Sequence, residues 1–212
     1  MTEKYRHFFE IHTRSKEEGE EPNEEEVTIE GKAVTFNDET LLYRLEDGTP
    51  VYEMIMPEAL DKTDMKDVVF DLNHDWDRSI PLARTRNNSL VLEKREDGLW
   101  FTAKIRKDNE EGMKVYRAIE QGLLDRCSFA FTLALDGEDI ESRTEKDGSE
   151  AYHIVVKDID RLYDVSAVSI PAYDNTSLSA RSRYAKDVET FKASVETDKV
   201  TALRKKIMSK QF

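Results

Sequence analysis

The chain is poor in cysteine and in positive charge, and both shortages restrict what it can be. Its 212 residues include one cysteine, Cys127, which excludes an internal disulfide and any zinc site built from several cysteines. Acidic side chains number 45 against 32 basic ones, so the formal net charge is −13. This balance argues against a general nucleic-acid binder, because neutralising phosphates requires a surplus of lysine and arginine.

Long apolar runs are missing as well. No stretch approaches the ~20 residues that a membrane helix needs, and the first residues lack the apolar core of a signal peptide. We therefore expect a soluble protein of a reducing cytosol, with no membrane partner. The length of 212 residues fits one domain, or one domain plus a tail. Hydrophobic residues make up only 38% of the chain, which favours part of it forming a solvated arm.

Short strand patterns dominate the chain and predict its fold class. The Asp97-Gly98 step between two alternating runs indicates a hairpin. Residues 109–122 predict a helix, with Asn109 as its N-cap and Gly122 at its end. Many short strands with few helices predict an α+β, mainly β fold, specifically a closed or nearly closed antiparallel β-barrel with a few surrounding helices.

The two ends of the chain differ from its middle. Residues 1–26 combine a first strand with a glutamate-rich stretch, 17–26, that we expect to be a flexible acidic loop. Residues 27–183 form the predicted barrel domain. Residues 184–212 predict an amphipathic helical tail, in which Val188, Phe191 and Val195 share one face. That tail either docks on its own domain or serves as an interaction or processing segment.

His74 is the histidine whose surroundings favour chemistry. It follows an apolar strand and sits among polar residues, at a strand end where catalytic groups are often held, and histidine is the usual general base near neutral pH. A metal site from His74, Asp75 and Asp77 is the weaker alternative, because adjacent residues on an extended chain point in opposite directions.

Ser128 is the candidate nucleophile. Alternation along its strand places Ser128 and Ala130 on one face, with Phe129 and Phe131 on the other. The small face leaves room for a substrate backbone, although it could equally accommodate a packed helix. Cys127 is a rival nucleophile by chemistry, but alternation puts it with the phenylalanines, which favours a core position.

A third group should orient the base, and Asp164 is a candidate. It lies on a strand pattern in which Asp164, Ser166 and Val168 alternate with Val165 and Ala167. An ionised carboxylate on a barrel strand is costly unless it is paired, and a protonated histidine would offset that cost. The alternative is a surface acid on an edge strand, and periodicity alone does not choose between the two.

Six segments, taken in order, resemble the prohead (capsid maturation) serine protease family of tailed phages. The resemblance covers roughly residues 27–183. The matching segments are Gly31-Lys32-Ala33-Val34-Thr35-Phe36, Glu53 to Leu60, Leu72-Asn73-His74-Asp75 with Ile80 to Thr85, Asp97 to Phe101, Cys127-Ser128-Phe129-Ala130-Phe131, and Asp164 to Tyr173. Two alanines, Ala83 and Ala130, stand where the family has glycine, and Asp164 stands where most relatives carry glutamate.

The resemblance implies a Ser-His-Asp serine endopeptidase with a barrel fold related to herpesvirus assembly proteases. It makes Ser128 the nucleophile, His74 the general base and Asp164 the residue that orients His74. Arg84 and Arg126 are candidates for oxyanion or substrate contacts, and neither a cofactor nor a metal is expected.

The same resemblance implies the partners and the location. The substrates would be the scaffolding segment of the major capsid protein and the protease itself, which could form a homo-oligomer. Cleavage would occur in the host cytoplasm, inside the immature prohead, without a nucleic-acid partner.

Two hypotheses from other classes stand beside the protease. The first is a catalytically idle barrel that serves as a capsid-assembly scaffold or chaperone, for which Ser128 would be dispensable. The second is a metal-dependent hydrolase that uses His74 and nearby acids, which would be sensitive to chelators.

Overall fold

The protein was analysed as a computed structural model, which describes residues 9–13, 25–75, 80–169, 188–195 and 197. Within these ranges the chain is mainly β. The strands are β1 (Phe9–Thr13), β2 (Glu26–Thr35), β3 (Thr40–Arg44), β4 (Pro50–Ile55), β5 (Val69–Leu72), β6 (Ala83–Arg84), β7 (Leu90–Arg95), β8 (Gly98–Arg106), β9 (Arg126–Leu133), β10 (Glu138–Thr144), β11 (Glu150–Val156) and β12 (Ile159–Ala167).

The helices in the described part of the chain are short. They are α1 (Glu110–Glu120) and residues 188–195, called α2 below, with 3-10 turns at Pro57–Leu60 and Thr85–Asn87. None of them is long and apolar enough to cross a membrane. Most of the predicted acidic loop and most of the predicted tail lie outside the described residues, so the proposed division into three parts stays a prediction.

The prediction of a closed or nearly closed antiparallel barrel is wrong. The strands form three open sheets, and β1 joins two of them into the order β6-β5-β12-β9-β1-β2-β8-β7, while the third has the order β10-β11-β4-β3. Two pairs, β4 with β11 and β5 with β12, are parallel. Parallel neighbours need long crossover connections, so these partners are distant in sequence and local alternation could not identify them.

Local signals predicted the local elements well. Asn109 is the N-cap of helix α1, and its side chain accepts a hydrogen bond from the backbone N–H of Gly112 at 3.0 Å. After the helix, Gly122 has a φ of +68°. Strands β7 and β8 pair as the hairpin expected around the Asp97-Gly98 turn. The structure confirms both predictions. They could be made from the sequence because capping and tight turns depend on neighbouring residues alone.

The core connects the sheets and both helices. Phe70 of β5 and Phe101 of β8 are fully buried, with ring centroids 5.3 Å apart, and Val115 and Ile119 attach α1 to the same cluster. Because β5 and its neighbour β12 are both lined with buried residues, the polar side chains they carry are held rigidly. These two strands position the site described below.

Helix α2 packs on the sheet that contains β4 and β11. Val188 is fully buried, and the ring of Phe191 meets the ring of Tyr152 edge-on at 6.1 Å between centroids. Lys192 forms an ion pair with Asp47, in the turn between β3 and β4. An apolar anchor and a charge contact thus hold this helix on its own chain.

The contact between Asp47 and Lys192 should make α2 docking depend on pH. The hydrogen bond from Lys192, with help from Thr49, holds the Asp47 pKa well below its usual range. Because the pKa of Asp47 is lower when α2 is docked, the ion pair stabilises docking fully above the ordinary aspartate pKa of about 3.9. This stabilisation is lost progressively as the pH falls below that value. We expect amide protection factors in 188–195 to fall more between pH 5 and about 3 in the wild type than in Lys192→Met.

In that comparison Lys192→Arg is the matched control, because it keeps the positive charge and should follow the wild type. Equal pH sensitivity in the wild type and in Lys192→Met would show that the ion pair does not contribute to docking. Hydrogen exchange measured by mass spectrometry reads the protection of this helix directly.

Candidate functional site

The site begins at the turn after β5, where the backbone is unusual. Asn73 and His74 both adopt the left-handed conformation, with φ of +58° and +56°. Residues other than glycine rarely do so, and strained backbone concentrates at functional sites. The turn carries the imidazole of His74 toward β12, the parallel neighbour of β5.

The His74 ring is bonded to the carboxylate of Asp164. Nδ1 of His74 lies 2.8 Å from Oδ1 and 3.0 Å from Oδ2 of Asp164. Asp164 is fully buried on β12, and the histidine side chain is 19% exposed. An ionised carboxylate can only accept hydrogen bonds, so Nδ1 carries the proton and donates, which leaves Nε2 as the basic nitrogen. Nε2 has no hydrogen-bond partner in the described part of the chain.

Ser128 lies on the same face of the sheet as this pair. In the antiparallel pairing of β9 with β12, Ser128 is opposite Ser166, and Ala130 is opposite Asp164. Directly opposed residues share a face, and diagonal neighbours such as Ser128 and Asp164 are about 7–8 Å apart in such pairs. The structure therefore brings the three sequence-predicted residues, Ser128, His74 and Asp164, together on one face, with the serine partly exposed.

Cys127 takes no part in this face. It is buried in the core, where its Sγ donates a hydrogen bond to the Lys32 carbonyl at 3.0 Å. Burial raises the pKa of the thiol far above its ordinary value, so the nucleophilic thiolate does not form at neutral pH. The sequence-based expectation that Cys127 is a core residue is confirmed.

The two candidate arginines lie in different environments. Arg84 of β6 is held by Asp67 through two hydrogen bonds, Nε to Oδ1 at 2.5 Å and Nη2 to Oδ2 at 2.8 Å. This pairing lowers the pKa of Asp67 and engages two of the five N–H donors of the guanidinium group. Arg126, by alternation, shares the face of Ser128, and its Nε lies 3.2 Å from Asp125. Arg84 lies on that face as well, because Val69 is opposite both Arg84 and Asp164. Both arginines therefore stay candidates for a substrate contact.

The sequence did not single out two buried polar residues beside the site. Asp71 of β5 and Ser166 of β12 are opposite each other in register, and both are almost fully buried. Asp71, Ser166 and Ser128 thus form one row across three strands. Ser166 lies two residues beyond Asp164 in the alternating pattern, and that spacing was the signal available from the sequence.

The Ser166 hydroxyl lacks a hydrogen-bond partner among the residues that the structure describes. A buried hydroxyl without a partner costs about 1–3 kcal/mol, so Ser166→Ala should raise the free energy of unfolding by about 1 kcal/mol. Urea denaturation measures this change, with the exposed Ser142→Ala of β10 as the control that should stay within about 0.5 kcal/mol. A destabilised Ser166→Ala would mean that this hydroxyl is bonded in the folded protein.

The other described histidines lie away from this face. His12 is exposed, and His153 is buried on β11, where Glu39 and Glu145 contact its two ring nitrogens at 3.0 and 3.3 Å. Asp77, proposed as a metal ligand with His74 and Asp75, lies outside the described residues. Within those residues, no group of three or more His, Cys, Asp or Glu side chains is placed to hold a metal ion.

Comparisons with known proteins identify the family. Neither the curated proteins nor the solved structures contain a match to this chain. The family model described as caudovirus prohead serine protease matches residues 9–191. That range includes the whole described site, from the turn at His74 to the strands of Ser128 and Asp164. The chain therefore belongs to the caudovirus prohead serine protease family.

Proposed function

We propose that this protein is a Ser-His-Asp endopeptidase that cleaves the scaffolding segment of the major capsid protein, and itself, inside the immature prohead. Family membership makes it a serine protease that acts on capsid proteins within the prohead in the infected cell. The observation that carries the finer proposal is the bond between His74 Nδ1 and Asp164, on the same sheet face as Ser128.

In the proposed mechanism His74 is the general base. Its Nε2 accepts the Ser128 hydroxyl proton while Oγ attacks the peptide carbonyl, and it then gives that proton to the leaving amine. Asp164 accepts the Nδ1–H bond throughout, which keeps Nε2 free to accept a proton and stabilises the charged ring. Water then repeats the sequence on the acyl-enzyme and regenerates the serine.

The mechanism requires the Ser128 hydroxyl to come within hydrogen-bond distance of Nε2. Nε2 is buried and not bonded to Ser128 in the described structure, and catalytic hydrogen bonds in substrate-free enzymes are often long and tighten when substrate binds. Arg84, Arg126 and backbone amides are the candidates for stabilising the oxyanion.

Intact-mass spectrometry of the chain co-expressed with its capsid protein tests this proposal. We expect truncated capsid and protease masses for the wild type and for Ser142→Ala, an exposed serine far from the site, and full-length masses for Ser128→Ala. Full-length masses in all three, in assembled shells that contain the protein, would contradict a protease and favour the idle assembly scaffold. Truncation that persists in Ser128→Ala would assign the cleavage to another nucleophile or another enzyme.

A further inference from the structure

The side chain of Asn73 joins the ends of β5 and β12. The parallel ladder between these strands ends at Leu72 and Ala167. Beyond the ladder, the backbone N–H of Asn73 donates to the Ala167 carbonyl at 2.8 Å. Its Oδ1 accepts from the Ser169 amide at 2.9 Å and from the Ser169 hydroxyl at 3.2 Å. Asn73 therefore continues the strand pairing by two residues, with a side-chain carbonyl in place of a backbone one.

These bonds hold a backbone that would otherwise relax. Two successive left-handed residues cost about 1–3 kcal/mol each unless their surroundings fix them. Asparagine and histidine adopt this conformation more often than most residues, but two such residues in succession are still uncommon. The three bonds from Asn73 fix the turn from one side, and the bond from His74 to Asp164 fixes it from the other.

Both attachments of the turn are made to the same strand and its extension. His74 is bonded to Asp164, and Asn73 is bonded to Ala167 and Ser169. On its other side, that strand pairs with β9, where Ser166 is opposite Ser128. The way the Asn73–His74 turn is attached to β12 therefore determines where His74 Nε2 lies relative to the serine hydroxyl.

We propose that Asn73 is a positioning residue for the reaction: its Oδ1 fixes the left-handed turn so that His74 presents Nε2 to Ser128. The inference rests on the proposed function and deepens it, because it assigns the alignment of the base to a group that does not touch the substrate. Misplacing a catalytic group by about 1 Å costs on the order of 100-fold in rate.

Three substitutions separate the bonding role of Asn73 from its backbone role. Asn73→Asp keeps both an acceptor oxygen and tolerance of positive φ, Asn73→Gly keeps only the backbone freedom, and Asn73→Ala keeps neither. Ser169→Ala is the matched control, since it removes only the longer of the two bonds to Oδ1 and keeps the amide donor.

The assay is cleavage of a capsid peptide spanning a mapped cut site, at about 0.15 M salt, so that the exposed charge of Asn73→Asp is screened. We expect kcat/KM within about threefold of wild type for Asn73→Asp and Ser169→Ala. We expect about 10- to 100-fold losses, carried by kcat with KM unchanged, for Asn73→Gly, and a larger loss for Asn73→Ala. In the profile of kcat/KM against pH, the limb that reports protonation of the general base should also shift for Asn73→Gly and Asn73→Ala.

The outcomes distinguish this inference from the proposed function. Wild-type cleavage that disappears in Ser128→Ala establishes the protease, and full activity of Asn73→Gly would then overturn the positioning role alone. A lowered melting temperature with unchanged kcat and pH profile would reduce Asn73 to a purely structural residue and overturn it as well. Without cleavage by the wild type, the proposed function fails first and the inference falls with it.

Discussion

Asp164→Asn is expected to lower kcat for capsid-peptide cleavage about 10⁴-fold, the loss that the same change causes in a Ser-His-Asp protease. Asparagine matches the shape of aspartate, so the fully buried position on β12 stays filled. Its amide group, however, can present N–H toward Nδ1 of His74. The ring then carries its proton on Nε2, where it cannot accept one from Ser128.

A matched comparison isolates this effect from general damage. Asp164→Glu keeps the acceptor but adds a methylene in a packed position, which costs about 1–3 kcal/mol of stability, and it should retain more activity than Asp164→Asn. Steady-state kinetics at pH 7 measures the difference, with circular dichroism to verify folding. An Asp164→Asn enzyme within tenfold of wild type would remove Asp164 from the mechanism.

His74→Ala is expected to destabilise the protein by about 3 kcal/mol, because the buried carboxylate of Asp164 loses the hydrogen bond from Nδ1–H. The carboxylate of Asp164 is completely buried, and His74 covers it at 2.8 Å. Ser128→Ala, by contrast, removes a partly exposed hydroxyl and should change stability by no more than about 0.5 kcal/mol. Urea denaturation of the three proteins compares these free energies directly.

The double variant His74→Ala with Asp164→Asn tests the cause. Because a neutral amide costs less to bury than a carboxylate, the double variant should be more stable than His74→Ala alone. If the two changes simply add, the destabilisation comes from lost packing of the ring and not from the buried charge.

Features that depend on neighbouring residues could be predicted from the sequence. The α1 cap at Asn109, the β7–β8 hairpin and the burial of Cys127 each follow from local spacing, and the structure agrees. The partners of the strands did not follow in this way. The prediction of a closed barrel was wrong because alternation indicates which face of a strand each residue occupies but not which strand lies next to it.

The candidate site shows the same division. Alternation placed Ser128 and Ala130 on one face. His74 and Asp164 are 90 positions apart, so the residue pattern made Asp164 only one candidate to orient His74, and the family resemblance assigned it that role. The pairing of Arg84 with Asp67, 17 positions away, could not be predicted from the local sequence either. Asn73 was visible only as part of a motif, because its bonds to Ser169 join segments 96 residues apart.

The docking of α2 has a consequence for the lifetime of the folded enzyme. Val188, Phe191 and Lys192 hold this helix by noncovalent contacts alone. A single cut between residues 169 and 188 would convert an intramolecular contact into an association between two fragments and remove the high effective concentration that the tether provides. In the cleaved protein α2 would stay bound at a high concentration of the two fragments and dissociate on dilution. The lifetime of the folded enzyme would therefore depend on the volume of the compartment that holds the fragments.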